Sequence, residues 1–174
     1  MSTLADFRAH KDEFYRRGQD SPLDRLQRKL FQGLEYFPEN PELVVEAELE
    51  APQNPGEVSL ETSTGDTQTY RRAGVVHFTV DGEASQITLF QTGHDEQFFV
   101  PFRDATSGQE SYGSGRYLEV DPPRAGRVVV DFNYAYNPYC AYNHQWSCPL
   151  PPVENWLAVP IRAGEKDFPD REEH

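Results

Sequence analysis

Basic charge is what this sequence has least of, and within it lysine is scarcest. Lys11, Lys29 and Lys166 are the lysines among 16 basic residues, which face 29 acidic ones for a formal charge of −13. A diffuse negative field repels nucleic acid and anionic membranes, so neither is expected as a partner. Cysteine is nearly absent too: two residues exclude a disulfide-rich scaffold. No apolar run approaches the roughly 18 residues that a membrane-spanning helix needs. The opening stretch from Met1 to Glu13 is charged throughout and lacks the apolar core of a secretory signal, so the expected compartment is the cytoplasm. Acid excess with few lysines suits the cytosol of a halophilic archaeon, where salt screens the self-repulsion. An ordinary acidic protein from a GC-rich genome would show the same preference for arginine.

Aromatic residues are plentiful, with 11 Phe, 9 Tyr and 2 Trp, which excludes a fully disordered chain. The 14 prolines and 12 glycines argue against a helical bundle. The length fits one domain over residues 1–169, with 170–174 as a disordered tail. Residues 1–40 read as helical. Leu4, Phe7, Phe14 and Tyr15 recur at near-helical spacing through 3–17, broken by Gly18. A second helix is expected from Ser21 as N-cap, Pro22 at the first position and Asp24 at the third. Leu23, Leu26, Leu30 and Leu34 form its stripe, with Phe31 beside it, and Pro38 and Pro41 end it.

From Leu43 the apolar period falls to two. Short strands are expected at 43–50, 57–62, 68–72, 74–80, 85–91, 97–102, 116–120, 127–134 and 156–162, so 43–162 forms a β-rich core. Turn signals separate them, among them Asn54-Pro55-Gly56, Gly93-His94-Asp95 and Asp121-Pro122-Pro123. Asp81-Gly82 is the clearest hairpin turn. The expected class is α+β, mainly β: N-terminal helices packed on an antiparallel β-sandwich or partly closed β-barrel.

Three stretches break the strand-and-turn pattern. Residues 100–117 hold Asp104, Thr106, Tyr112 and Arg116 in a glycine-rich run, which either binds an anion through backbone amides or forms a turn capped by Asp104 and Thr106. In 128–134, strand alternation puts Asp131 and Asn133 on one face with Val129. They serve either as polar anchors of a pocket or as groups bonded to a neighbouring loop. Residues 137–152 carry both cysteines and a run of aromatics between prolines, an ordered loop in which Tyr139 and Trp146 either floor a pocket or pack loop on sheet. Cys140, His144 and Cys148 are spaced by four, a poor match to structural zinc; a fourth ligand would come from His77, His94 or Asp131 through folding. Structural thiols rank first, metal or disulfide second, and Cys140 as a nucleophile with His144 as base last.

These residues resemble a known family. Ser21-Pro22-Leu23, Gly33-Leu34-Glu35-Tyr36-Phe37, the Pro101 to Gly108 and Gly115 to Leu118 strings, the long Asp131 to Tyr142 string, Cys148 to Asn155 and Ala163 to Lys166 together resemble the domain of unknown function 1684 family of bacterial and archaeal proteins. The resemblance spans about residues 20–168 and carries no activity. It implies a retained set, Asp104, Thr106, Tyr112, Arg116, Asp131, Asn133, Asn137, Cys140, Cys148, Asn155, Glu165 and Lys166, with His144 variable.

The expected function is therefore a polar pocket for a small anionic or polar ligand. Its contacts would be Arg116, Asp131, Asn133, Asn137, Asn155 and Lys166, supported by Asp104, Thr106, Tyr112, Tyr139, Trp146 and Glu165. No cofactor is implied. The alternatives are an interaction module whose polar residues form a buried network, a hydrolase with Asp131 or Glu165 as base, or a zinc- or thiol-dependent enzyme through Cys140, His144 and Cys148.

Overall fold

The computed structural model describes residues 3–93, 96–143 and 145–168. The expected turn at His94-Asp95, His144 and the 170–174 tail lie outside these residues. Among these residues seven antiparallel strands form two sheets, neither closed into a barrel. The larger has the order β2-β3-β4-β5-β6, from β2 (Glu57–Glu61), β3 (Thr67–Val80), β4 (Glu83–Gln91), β5 (Phe98–Phe102) and β6 (Arg116–Val120). The smaller pairs β1 (Val44–Glu48) with β7 (Arg127–Asp131).

The β3–β4 hairpin turns at Asp81-Gly82 with Val80 opposite Glu83. Both turn residues have positive φ, 51° and 81°, as a two-residue turn matched to strand twist requires. The two strands expected at 68–72 and 74–80 are one strand with an irregularity between Arg72 and Gly74. There the chain just past β1 meets β3: Glu50 and Val75 exchange backbone hydrogen bonds of 2.9 and 2.8 Å. A Cβ at Gly74 would lie 2.8 Å from the backbone oxygen of Glu50 and 2.5 Å from Leu49 Cδ1, so the junction needs glycine.

The core fills the space between the sheets with Val76, Ile87, Leu89, Val100, Phe102, Leu118, Val130 and Phe132. Leu157, Val159, Ile161 and Ala163 close it. Their alternation is what predicts a strand over 156–162, but no ladder forms there. Pro160 lacks an amide hydrogen, and the Ile161 N–H goes to the Asp104 carboxylate at 2.7 Å. Similarly β7 stops at Asp131, whose side chain caps a 3₁₀ turn, Phe132–Tyr134.

The first helix, α1 (Leu4–Arg17), forms where expected, but with a different face inward. Phe7 and Phe14 stay over a third exposed, while Tyr15 is buried. Arg8, Lys11 and Asp12 turn inward with it. The second, α2, is only Arg25–Leu30, and its N-cap is Asp24, in a capping box with Gln27. Ser21 instead donates to Tyr15 O and accepts from Leu23 N. Leu26 and Leu30 are 65% and 57% exposed, so the leucine stripe is not a core face. The expected extension to Leu34 is lost because the chain beyond Phe31 pairs with 164–166: Phe37 N donates to Gly164 O, and Lys166 N to Glu35 O. Among the described residues no helix is long and apolar enough to cross a membrane.

Candidate functional site

Half of the nominated polar residues meet beneath α1. Arg116 starts β6 and points to its core side, where its guanidinium sits between the rings of Phe37 and Phe102 at 5.7 and 5.2 Å. Nη1 donates to the carbonyls of Ala163 (2.6 Å) and Glu165 (3.0 Å). Nη2 donates to Ile161 O at 2.8 Å and to Asp104 Oδ1 at 3.4 Å. Burial pulls the guanidinium below its usual range, against the attraction of Asp104. Asp104 in turn accepts from the Thr106 N–H and hydroxyl and from Ile161 N.

Glu165, 1% exposed, anchors the other side. Its carboxylate accepts from Asn137 N (3.0 Å), from the Tyr142 hydroxyl (2.9 Å), and from Lys11 of α1. Burial first, and Glu165 second, raise Tyr142 well above the usual phenol range. The Asn137 amide donates to Lys166 O, and the Lys166 ammonium lies over the Phe37 ring at 5.2 Å. Lys11 and Tyr142 belong to this cluster, and nothing in the spacing of the sequence links them to Glu165.

Asp131, Asn133 and Asn155 lie elsewhere. Asn133 accepts from Asn40 N and donates to Asn40 O, while Asp131 holds its amide and its N–H. Asn155 is wholly buried between β4 and β5. It accepts from Thr88 N and donates to the carbonyls of Thr88 and Pro101, all at 2.8–2.9 Å. The nominated ligand contacts thus do not share one recess, and Arg116, Asn133 and Asn155 bond to the chain itself.

The cysteines are free thiols. Tyr112 donates to Cys140 Sγ at 3.6 Å. A hydrogen bond from Cys148, with smaller contributions from Tyr112 and Ser63, lowers the Cys140 thiol to about 7 against the cost of burial. Cys148 is shifted upward by Cys140 and by burial. Among the described residues no three His, Cys, Asp or Glu side chains are grouped to hold a metal. His77, a possible fourth ligand, pairs with Glu50 at 3.0 Å.

A concave surface does exist, on the outer side of β5 and β6. Alternation along β6 turns Tyr117 and Glu119 away from the core that Arg116, Leu118 and Val120 face. Phe99, opposite Glu119 on β5, meets Tyr117 edge to face at 4.7 Å and stacks on Tyr70 at 5.5 Å. Tyr136 and Pro149 fold over this side. Tyr136 and Tyr117 exchange backbone hydrogen bonds of 2.8 and 2.9 Å, and the Tyr117 hydroxyl donates to Pro149 O. The Tyr136 hydroxyl bonds to Glu119. The resulting recess of about 780 Å³ has Glu96, Gln97, Glu119 and Asp121 on its rim. Tyr136 is shared with two smaller hollows: about 550 Å³ beside Asp131 and Tyr134, and about 360 Å³ beside Asn137, Tyr139, Trp146 and Cys148. The sequence nominated Asp131, Asn137, Tyr139 and Trp146 here, but missed Phe99, Tyr117 and Tyr136. The 116–120 strand pattern would have placed Tyr117 and Glu119 on a shared outer face.

The curated proteins contain no match to this chain. A solution NMR structure of an uncharacterized protein from Haloarcula marismortui is 41% identical, with a TM-score of 0.73 over 94% of this chain and 91% of that one. The model of a protein family of unknown function, DUF1684, matches residues 29–166. That span takes in every strand and all the nominated polar residues, and on it the chain belongs to the DUF1684 family.

Proposed function

We propose that the protein is a cytoplasmic binding domain for a small organic cation, held in the recess between Tyr117 and Tyr136. The observation that carries this reading is the lining. Tyr70, Phe99, Tyr117 and Tyr136 supply aromatic rings, Glu96, Glu119 and Asp121 supply negative charge, and no lysine or arginine is among the lining residues described, although the Lys11 ammonium lies over one face of the Tyr136 ring at 4.8 Å. Its volume lies in the range of small-molecule sites. Aromatic faces and carboxylates both attract cations, and rings already fixed by hydrogen bonds lose little freedom on binding. An anionic ligand, the other half of the sequence expectation, has little support here, because Arg116 is spent on carbonyls and Asp104. The acidic composition and the relative from a halophilic archaeon support a salt-rich cytoplasm, with nucleic acid and anionic membranes outside the partner set.

The test is an amide-resolved NMR titration with choline, and with acetate in parallel. Choline is expected to shift Phe99, Tyr117, Glu119 and Tyr136 saturably. Tyr136→Ala should weaken it roughly two- to thirtyfold, the range of a cation held against a ring at about 0.5–2 kcal/mol. Glu119→Gln, at an exposed site, should weaken it without affecting the fold. Shifts with acetate alone, or choline shifts that map outside the recess, would overturn the reading.

A further inference from the structure

The hollow of about 360 Å³ shares Tyr117 and Tyr136 with the larger recess but is lined in a different way. Among the described residues its wall holds no lysine, arginine, aspartate or glutamate. Pro138 and Pro149 flank it; the Tyr117 and Tyr136 rings meet edge to face at 5.9 Å, and the Tyr139 and Trp146 rings at 5.2 Å. The Trp146–Cys148 side is fastened to the turn after β2. Ser63 Oγ donates to Trp146 O at 3.2 Å and accepts from Cys148 N at 3.1 Å, and Ser63 N donates to Cys148 O at 2.9 Å. Two polar atoms of the lining residues, Asn137 Oδ1 and Trp146 Nε1, are buried with no hydrogen-bond partner among the described residues. Asn137 is 1% exposed, and its amide cannot turn over. Nδ2 donates to Lys166 O at 2.9 Å, where a flipped Oδ1 would face that carbonyl, and the main-chain N–H is held by Glu165 at 3.0 Å. A buried acceptor and a buried donor left bare each cost more than an ordinary hydrogen bond contributes, so the two together point to a molecule that meets both.

We propose that this hollow binds a small, uncharged, planar heterocyclic amide, the chemistry of a free pyrimidine base. A ring N–H of the ligand donates to Asn137 Oδ1, a ring carbonyl accepts from Trp146 Nε1, and the flat body packs against Tyr139 and the two prolines. Each feature of the wall excludes another class. A cation finds no carboxylate on it, an anion finds no basic side chain, and an aliphatic molecule leaves both polar atoms bare. The volume sits at the small end of ligand sites, and walls already held by backbone hydrogen bonds lose little freedom on binding. A neutral ring is indifferent to the formal charge of −13, whereas a nucleotide phosphate would be repelled by it. The assignment is independent of what the larger recess binds, because neither Asn137 nor Trp146 lines that recess.

The experiment titrates the folded wild type with uracil and reads the indole N–H signals by NMR. The chain has two tryptophans, and Trp156 Nε1 already donates to Pro151 O at 3.0 Å, so its signal is an internal control. Uracil is expected to move the Trp146 indole saturably and leave Trp156 in place. Dimethyluracil methylated at both ring nitrogens keeps the ring and its carbonyls but has no N–H for Asn137, and should bind more weakly by roughly tenfold or more. Trp146→Phe keeps a ring beside Tyr139 and loses the donor, so uracil affinity read at the Asn137 and Tyr139 amides should fall roughly two- to tenfold. Uridine monophosphate should bind more weakly than uracil, and tighter binding would overturn the free-base assignment. A Trp146 indole that does not shift, equal affinity for the methylated ring, or unchanged affinity in Trp146→Phe would overturn the proposal. Choline shifts at Phe99 and Glu119 are read separately, since neither lines this hollow, and failure at one site leaves the other standing.

Discussion

Replacing Arg116 by Met separates a residue that holds the fold from one that waits for a ligand. Methionine fills much of the slot between Phe37 and Phe102, so the packing loss is small and the polar loss dominates. Three carbonyls, of Ile161, Ala163 and Glu165, lose their donor, and Asp104 loses its counter-charge in a site where both side chains are at most 1% exposed. Each buried acceptor left bare costs about 1–3 kcal/mol, and breaking a buried ion pair about 3–5 kcal/mol. These costs overlap. Asp104 keeps its bonds from Thr106 and Ile161, and the 161–165 segment can relax towards water. The net loss should be about 3–5 kcal/mol, a large share of the stability of an ordinary domain. Urea denaturation at fixed potassium chloride would read it as a lower midpoint with unchanged slope, and thermal melting as a fall of roughly 6–20 °C. Arg116→Lys should recover only part, because one ammonium cannot reach carbonyls arranged for a planar fork. A loss below about 1 kcal/mol for the methionine variant would refute the structural role and return the guanidinium to the list of ligand contacts.

Asn155→Ala should cost about 2–4 kcal/mol and speed hydrogen exchange at the Thr88 amide, because three bonds between β4 and β5 go with it. Gly164→Ala should destabilise far more than Gly82→Ala in paired thermal melts. Both glycines have φ near +80°, but an added Cβ at Gly164 meets Ala135 O at 2.6 Å, whereas at Gly82 it meets nothing within 4 Å. Asp12 is raised from its ordinary value chiefly by burial. The folded state then binds the proton more tightly than the unfolded one. Asp12's contribution is therefore fully present below the unfolded value near 4 and is lost as pH rises through the raised folded value. Between pH 3 and 7 the melting temperature of Asp12→Asn should gain on that of wild type as pH rises through the raised Asp12 value, and a difference that stays constant with pH would contradict this.

Local patterning foretold the sheet well, because a strand reports itself through side chains two residues apart. Every strand the structure forms had been expected within a few residues, and the Asp81-Gly82 hairpin was legible from its turn alone. Failures came where a distant partner outbid local preference. The segment 31–37 leaves its helix to pair with 164–166, and 156–162 keeps strand alternation but gives its amides to Asp104 and Arg103. The inward face of α1 was misread for the same reason. Its burial is set by Glu165 and Tyr36, which lie 154 residues from Lys11 and 28 from Arg8 and draw these in while Phe7 and Phe14 stay outside. Of the nominated site, the convergence of Arg116, Asp104, Asn137 and Glu165 is real, but its purpose could not be read from residue type.

That ambiguity has a physical root. A side-chain amide carries the same donor and acceptor as a peptide group, so a buried asparagine can stand in for a strand neighbour where the backbone cannot supply one. Asn155 does so between Thr88 and Pro101, and Asn133 does so against both backbone groups of Asn40. Arg116 plays the donor-only version against three carbonyls of a segment that makes no ladder. Aspartate at the asparagine positions would turn a needed donor into an acceptor, and glutamine would not fit the spacing, so a fold of this kind restricts these positions as tightly as a ligand would. A retained polar residue in an irregular chain is therefore weak evidence of recognition. The outer aromatic surface is different: its carboxylate rim is exposed and its open volume is not needed to hold the sheets together, which is why the binding proposal rests there.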